Sequence, residues 1–283
     1  MTKLLSIRLV AILVGLGFAL VALYSFVIGA YAAMTEEPAG HLPYEEPKDL
    51  AWSFDGPFGK WDVQQLQRGF KVYNEVCSAC HSLKFVAFRD LEQIGYDEGQ
   101  VKAFAASKQV PGIDPNTGEA TTRPGLPTDY FPSPYPNAVA AAAANNNAIP
   151  PDLSLITKAR ADGTNYVASL LMGYQEPSEE LLEHHPEAAP GPGLHHNPYF
   201  PNLNLAMAPP LTTAGQVTFD DGTEATIEQM STDVAAFLTW TAEPTMVKRK
   251  QTGWPVLIFL LFATVLAYLS KKQIWAAAKR KDD

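Results

Sequence analysis

Cys77-Ser78-Ala79-Cys80-His81 is the sequence feature from which the interpretation of this chain starts. On a helical turn, the two cysteines and the histidine occupy positions i, i+3 and i+4, so their side chains share one face. Two thiols on that face can each form a thioether bond to the same porphyrin, and the adjacent imidazole can reach the iron. This spacing is typical of haem attachment, so we expect one haem c, bonded to Cys77 and Cys80, with His81 as proximal ligand.

Two other uses of a Cys-x-x-Cys pair compete with haem attachment. The pair could form half of a zinc site or act as a redox dithiol. A structural zinc site usually takes four ligands in two pairs, and the chain has only these two cysteines. A thioredoxin-like dithiol opens a helix within a βαβ pattern, and no such pattern surrounds this one. Haem attachment is therefore the favoured interpretation.

Charge is unevenly distributed along the 283 residues. Residues 34–247 contain 11 basic and 28 acidic residues, a net charge of −17, whereas residues 248–283 contain eight basic residues and two acidic ones. A domain this acidic repels nucleic acid and steers a basic partner towards itself, although the charge also serves plain solubility. We expect a basic protein as partner and no nucleic acid.

The first apolar segment is residues 9–33, which carry no charge and follow Lys3 and Arg8. A signal peptide has an apolar core of roughly 7–15 residues, whereas a spanning helix needs about 20. The length favours a retained membrane anchor in residues 1–33, although Ala30-Tyr31-Ala32 resembles a cleavage site. Either alternative implies export of the residues after this segment.

The second apolar segment, residues 254–269, predicts a C-terminal membrane anchor over residues 248–270. The basic tail, residues 271–283, is then cytoplasmic by the positive-inside rule, and the N-terminus lies on the same side. Residues 34–247 would form a c-type haem domain in the periplasm, where haem is attached. The expected location is therefore the inner membrane.

Helical periodicity without a convincing set of strands predicts a mainly α domain with long loops and insertions. A helix starting at Asp62 delivers Cys77. Gly69 costs up to about 1 kcal/mol inside that helix, which indicates close approach of another helix. A helix that opens with a capping box at Thr226 and runs to about Thr241 is the expected partner.

Weaker patterns predict further helices at residues 97–106, 138–144, after Ser154 and at 166–174. Residues 175–203 are acidic, rich in proline and irregular, and we expect an insertion on the domain surface. They contain His184-His185 and His195-His196, which invite a metal hypothesis. No carboxylate or cysteine accompanies them to fix a geometry, so solvated loop histidines are favoured.

A haem iron with one histidine has either a sixth ligand or an open position, and a methionine thioether raises its potential. Met207 lies in Leu205-Ala206-Met207-Ala208-Pro209-Pro210-Leu211, where two prolines stiffen the backbone just after it. Met172 and Met230 compete, but both fall in amphipathic helical patterns where core packing explains them. Met207 is therefore the favoured sixth ligand.

Taken together, these features resemble the cytochrome c1 family, the haem-bearing subunits of cytochrome bc1 complexes, in its bacterial form. The resemblance covers about residues 45–275, and Met-Ala-Pro-Pro-Leu and Pro-Pro-Asp-Leu-Ser are its most particular motifs. The matching stretches are Gln67-Arg68-Gly69-Phe70, Val76-Cys77-Ser78-Ala79-Cys80-His81-Ser82, Arg123-Pro124-Gly125, Asp129-Tyr130-Phe131-Pro132, Ile149-Pro150-Pro151-Asp152-Leu153-Ser154, Asn197-Pro198-Tyr199-Phe200-Pro201 and Ala206-Met207-Ala208-Pro209-Pro210-Leu211.

The resemblance implies a class I cytochrome c-like haem domain with a C-terminal transmembrane helix and an N-terminal membrane segment. Its implied functional residues are the haem-bonding Cys77 and Cys80, the axial ligands His81 and Met207, and Arg123 and Tyr130 beside a haem propionate. The chain departs from the family pattern in two ways. It lacks the extra cysteine pair of some bacterial relatives, and its N-terminal segment resembles a retained anchor where a cleaved signal is common in the family. Neither affects the expected haem ligands.

The implied function is electron transfer from the Rieske iron–sulfur protein to a basic cytochrome c, in a dimeric complex with cytochrome b. The chain is not expected to be an enzyme on its own, because no substrate bond is made or broken on it. Acids such as Asp220, Asp221 and Glu224 are the expected dock for the acceptor. The alternatives are a free-standing anchored cytochrome c or terminal-oxidase haem subunit, a haem enzyme or gas sensor with an open iron, and a structural metal module.

Overall fold

The computed structural model describes residues 7–35 and 42–279. The chain divides into two compact units, Met1–Pro43 and Tyr44–Asp283. Some of the residues on which the expected membrane orientation depends lie outside the described part. They are Lys3, the side chain of Arg8 and residues 280–283.

Helices dominate both units, which confirms the mainly α fold class. The first unit contributes α1 (Ile7–Thr35). The helices of the second unit are α2 (Val63–Glu75), α3 (Glu98–Ser107), α4 (Ala138–Ala144), α5 (Gly163–Met172), α6 (Glu179–His184), α7 (Ile227–Ala242) and α8 (Met246–Lys279). Two stretches within α1 and α8, Leu9–Thr35 and Met246–Ala276, are long and apolar enough to cross a membrane.

Two small antiparallel hairpins were not expected from the sequence. Strand β1 (Gln109–Ile113) pairs with β2 (Ala120–Pro124), and β3 (His195–His196) pairs with β4 (Asn204–Leu205). Most side chains of β2 are exposed, so the apolar alternation that marks a half-buried strand is missing. Arg123 lies on β2.

Helices α2 and α7 cross in direct backbone contact at Gly69. The Asp62 side chain caps the start of α2 by accepting a hydrogen bond from the Gln65 backbone N–H. A Cβ added at Gly69 would lie 2.0 Å from the backbone oxygen of Asp233 and 2.7 Å from the Cβ of Phe237. Both the predicted close approach and the predicted partner helix are confirmed.

Aromatic rings fill the core around this crossing. The ring centroid of Phe70 lies 5.6 Å from that of Phe237 and 6.2 Å from that of Phe131. Tyr73 lies 5.9 Å from Phe237, and Trp240 stacks on Phe237 at 5.6 Å. Since each of these side chains is buried, α2 is held in a fixed position just before Cys77.

A buried ion pair explains why the capping box of α7 is only half formed. The Thr226 hydroxyl accepts a hydrogen bond from the Gln229 backbone N–H at 3.0 Å. The Gln229 side chain does not return to Thr226 but donates to Asp233 at 2.8 Å. Asp233 is fully buried and also accepts from Nε of Arg68 at 2.7 Å. Satisfying this buried carboxylate takes precedence over the cap.

The prediction of a helix after Ser154 is wrong. Residues 154–158 form turns instead, in which Ile156 N–H bonds to the Leu153 oxygen at 3.2 Å. The next helix begins only at Gly163, where an added Cβ would lie 1.8 Å from the backbone oxygen of Thr157. The chain folds back on itself before α5, a close backbone contact that apolar spacing does not reveal. Residues 175–203 are likewise less irregular than expected, since they contain α6 and β3.

Glu243 connects α7 to α8. Its carboxylate accepts hydrogen bonds from Arg249 and, at 2.6 Å, from Lys158. The Arg249 hydrogen bond, followed by that of Lys158, lowers the pKa of Glu243 to about 2, against the opposing effect of burial. Met246 and Val247, at the start of α8, pack against the core. The junction is therefore short and firmly attached.

A Glu243→Gln substitution is expected to lower the free energy of unfolding by about 1 kcal/mol at pH 7, because both ion pairs are lost. The pKa of Glu243 is lower in the folded than in the unfolded chain, so this stabilisation is complete above pH 4.5 and disappears as the pH falls towards about 2. Thermal unfolding of the detergent-solubilised chain from pH 7 to pH 3 measures the difference. Glu224→Gln is the control, and an equal difference at both pH values would contradict the prediction.

Candidate haem site

The Cys77-Ser78-Ala79-Cys80-His81 segment continues directly from α2 as a 3₁₀ turn, Cys77–Ala79. The backbone N–H groups of Cys80 and His81 both donate to the Cys77 oxygen, at 3.1 and 2.9 Å. Helical spacing is thus kept through His81, as the motif predicted. Both cysteines are free thiols and neither forms a disulfide.

The imidazole of His81 is oriented by the backbone. Its Nδ1 lies 2.7 Å from the Pro151 carbonyl oxygen, and since a carbonyl can only accept, Nδ1 carries the proton. The lone pair is then on Nε2, the form of histidine that binds metals. Burial lowers the pKa of His81, so the ring is held neutral against the opposing effect of that hydrogen bond. The Tyr73 hydroxyl also donates to the His81 backbone oxygen at 2.9 Å.

Residues 150–154 form a clamp on the chain just after His81. The Asp152 carboxylate accepts from the Ser82 hydroxyl at 2.8 Å and from the Lys84 N–H at 2.9 Å. The Leu153 N–H donates to the Ser82 oxygen at 2.9 Å. Asp152 belongs to a family-like motif, but no role was predicted for it. The sequence contains a signal for a turn here, because aspartate often accepts a hydrogen bond from the backbone two residues later. Asp152 does so from the Ser154 N–H.

Arg123 forms a two-pronged ion pair with Asp129. Its two terminal nitrogens donate to the two carboxylate oxygens at 2.6 and 2.8 Å. The hydrogen bond from Arg123, followed by that from the Leu126 N–H, lowers the pKa of Asp129. Within the described part of the chain, the Nε of Arg123 makes no hydrogen bond, so a donor is left for a further anionic group.

Tyr130 lies next to this pair and is half exposed. Its backbone forms a β-bridge with Ala87, and the Phe88 N–H donates to the Asp129 oxygen at 2.9 Å. The structure thus fastens the Arg123 and Tyr130 region to the residues shortly after His81.

Met207 follows β4 and is half-buried. Its backbone oxygen accepts a hydrogen bond from the Tyr174 hydroxyl at 3.0 Å, which fixes this segment to the end of α5. Of the competing methionines, Met230 is completely buried in α7, and Met172 packs against the core. Both therefore have the packing role that the sequence predicted for them.

These residues fit a covalently attached haem. The donor set consists of two free thiols, an imidazole with an available Nε2 and a thioether. Large apolar side chains on the neighbouring segments are more than half exposed, and a flat apolar ring system would cover such surface. They are Phe85, Leu126, Tyr130 and Ile149.

One of the paired histidines is buried, although solvated loop histidines were expected. His196 lies on β3 opposite Asn204 and is only 5% exposed. Among the described residues, no group of three or more histidine, cysteine or acidic side chains is placed to hold a metal ion.

Comparisons with known proteins identify the family of the chain. The model of the Cytochrome C1 family matches residues 52–278. Cytochrome c1 of Rhodospirillum rubrum is 46% identical over 237 residues, which cover 81% of this chain and 87% of that protein. Mitochondrial cytochrome c1 of Saccharomyces cerevisiae is 42% identical over 260 residues, 92% of this chain and 80% of that protein.

Cytochrome b/c1 of Bradyrhizobium diazoefficiens is 45% identical over 253 residues, 82% of this chain. The match spans only 36% of that longer protein. With two apolar helices, the chain is a membrane protein, and its cofactor is one covalently bound haem c. The chain belongs to the cytochrome c1 family, the haem-bearing electron-transfer subunits of cytochrome bc1 complexes.

Proposed function

We propose that the chain takes electrons from the Rieske iron–sulfur protein and passes them to a cytochrome c, within a dimeric complex that also contains cytochrome b. Membership of the cytochrome c1 family supports the partners. The observation that carries the haem-binding part of the proposal is the 2.7 Å hydrogen bond from His81 to the Pro151 oxygen, which leaves Nε2 free beside Cys77 and Cys80. When bound, haem c supplies one-electron chemistry between ferric and ferrous iron.

The protein residues have separate roles in this proposal. Cys77 and Cys80 would hold the cofactor covalently, and His81 and Met207 would bind its iron. A methionine ligand raises the potential into the range of electron transfer. Arg123 compensates the charge of a propionate with its unused donor, and its partner Asp129 fixes its position. Tyr130 assists from the adjacent position.

The proposed topology has the haem domain, residues 34–247, in the periplasm and the C-terminus in the cytoplasm. Residues 1–33 are a retained N-terminal anchor, residues 248–270 the C-terminal anchor and residues 271–283 the cytoplasmic tail. The two apolar helices and the excess of basic residues after the second one support this arrangement.

Purification from native membranes in mild detergent tests the assignment to a complex. We expect the chain to elute with a b-type cytochrome and an iron–sulfur protein, and its absorbance to show reduction when quinol is added. A chain that elutes alone and is not reduced by quinol would contradict the proposal. That result would favour a free-standing electron carrier or a terminal-oxidase haem subunit.

The structure changes the choice of residues for the acceptor dock. Asp220 is paired with Lys71 at 2.8 Å and Asp221 with Arg68 at 2.7 Å, so both are already compensated. Of the three expected acids, only Glu224 forms no ion pair with another described residue. A surface whose charges are internally paired attracts a basic partner weakly.

Helix α6 offers a better dock. Its three acids, Glu179, Glu180 and Glu183, are exposed and take part in no ion pair among the described residues. Residues 161–247 contain no lysine or arginine to compensate them. Hydrogen bonds tie both flanks of α6 to the Met207 segment: Tyr174 bonds to Met207 before it, and Asn204 bonds to the Ala188 oxygen after it at 2.9 Å.

Two triple variants with the same change in charge test the dock. Glu179→Gln, Glu180→Gln and Glu183→Gln together are expected to slow reduction of a basic cytochrome c about tenfold at low salt and to flatten its salt dependence. Asp220→Asn, Asp221→Asn and Glu224→Gln together should change the rate much less. Stopped-flow reduction over a range of ionic strength measures both. A larger effect of the second variant would overturn the choice of α6.

A further inference from the structure

Residues 52–61, ahead of α2, form a loop rich in aromatic residues, which we call the aromatic loop. Its inner rings pack together, with Phe54 stacked on Trp52 at 5.6 Å and tilted against Trp61 at 4.8 Å. The Trp52 indole N–H donates to Asn165 at 2.7 Å, which anchors the loop to α5. Phe58 differs from these residues, because its ring is 75% exposed.

The aromatic loop is attached to the first turns of α8 at two points. Lys250 donates from Nζ to the backbone oxygen of Phe54 at 2.9 Å. The exposed ring of Phe58 stacks on the indole of Trp254, with ring centroids 6.0 Å apart and an angle of 18° between the rings. Phe58 therefore lies at the same level along α8 as Trp254.

The sequence of α8 fixes that level relative to a membrane. The stretch between Lys250 and Lys271 consists of 20 uncharged residues. At a rise of about 1.5 Å per residue it is about 30 Å long, the thickness of the hydrocarbon core. Both lysines must stay near the polar surfaces, so little shift along the membrane normal is possible. Trp254, one turn after Lys250, then lies at the boundary between headgroups and acyl chains, where tryptophan is enriched.

We propose that Phe58 inserts into the same boundary layer, so that the aromatic loop is a membrane contact of the haem domain in addition to its spanning helices. An exposed aromatic ring is unfavourable in water and suits this layer. Lys60, two residues after Phe58, and Lys248, in the first turn of α8, are exposed and can face lipid phosphates in an otherwise acidic domain.

The occupant of this surface is lipid, because the loop is continuous with the membrane-spanning helix through the Phe58–Trp254 pair. The aromatic loop and α8 would then contact the membrane on the two sides of the short junction at Glu243. Two such contacts would fix the height and tilt of the haem domain relative to the membrane. The inference rests on the proposed span of α8, but not on the route of the electrons or on the ligands of the iron.

Site-directed spin labelling of the full haem-loaded chain in lipid nanodiscs tests the inference. Attachment of haem removes Cys77 and Cys80 from the labelling reaction, so one added cysteine carries the label. Phe58→Cys is compared with Leu261→Cys, in the middle of the span, and with Ile113→Cys, an equally exposed apolar position on the β1–β2 hairpin. Collision rates with oxygen, which prefers lipid, and with a water-soluble nickel chelate are measured at each position.

We expect the ratio of oxygen to nickel collisions at position 58 to shift towards the value at 261 and away from the value at 113. An aqueous ratio at 58 with a lipid ratio at 261 would overturn the inference and leave the span intact. An aqueous ratio at 261 would instead overturn the proposed span. A label at 58 that is aqueous in nanodiscs but shielded from both reagents in the purified complex would show a protein partner, which also overturns the lipid assignment.

Discussion

A Gly69→Ala substitution is expected to destabilise the haem domain by about 3 kcal/mol, out of a total stability of roughly 5–15 kcal/mol for a typical domain. The added methyl carbon would lie 2.0 Å from the Asp233 backbone oxygen, far inside van der Waals contact. Backbone atoms of two packed helices cannot yield as a side chain can, so α2 and α7 must separate. Their separation would also strain the buried pair between Arg68 and Asp233.

Thermal unfolding followed by circular dichroism measures this loss, and the yield of haem-loaded protein gives a second readout. Gly191→Ala is the control, since an added Cβ there meets only Leu194 at an ordinary distance of 3.8 Å. Equal stability of the Gly69 and Gly191 variants would show that the crossing is not as close as described.

A Met207→Leu substitution is expected to have the largest effect on the haem. Leucine keeps the apolar volume but lacks the sulfur, so the iron loses its sixth ligand and becomes open to carbon monoxide. The reduction potential should fall by on the order of 0.1 V or more, because axial ligands set haem potentials over a range of about 0.8 V. Redox titration and carbon monoxide difference spectra measure the two effects.

Met172→Leu and Met230→Leu are matched controls, because both side chains pack in the core. Each should lower stability by less than about 1.5 kcal/mol and leave the potential and the carbon monoxide spectrum unchanged. If Met172→Leu opened the iron and Met207→Leu did not, the assignment of the sixth ligand would be wrong.

Local signals in the sequence were sufficient for the elements around the haem motif. The helical periodicity from Asp62 onwards and the glycine at position 69 predicted both the helix and its crossing with α7. The motif itself predicted the helical spacing of Cys77, Cys80 and His81. These features depend on neighbours within a few residues, or on one strong steric requirement.

Features that depend on tertiary contacts were missed. The clamp of Asp152 on Ser82 joins segments 70 residues apart, and the return of Gly163 to Thr157 depends on tight backbone packing. The pairing of Asp221 with Arg68, 153 residues away, could not be foreseen from the charge count that made this acid a candidate for the dock. Composition gives the sign of a surface, whereas ion pairing decides which charges remain available.

The most direct test of the central claim is an optical spectrum of the purified wild-type chain, oxidised and reduced, with and without carbon monoxide. A carrier with His81 and Met207 on the iron should give a sharp reduced c-type band and a weak sulfur-to-iron band when oxidised. It should show no change on addition of carbon monoxide. A carbon monoxide shift in undamaged protein would mean an open iron and would contradict the account, in favour of a haem enzyme or a gas sensor.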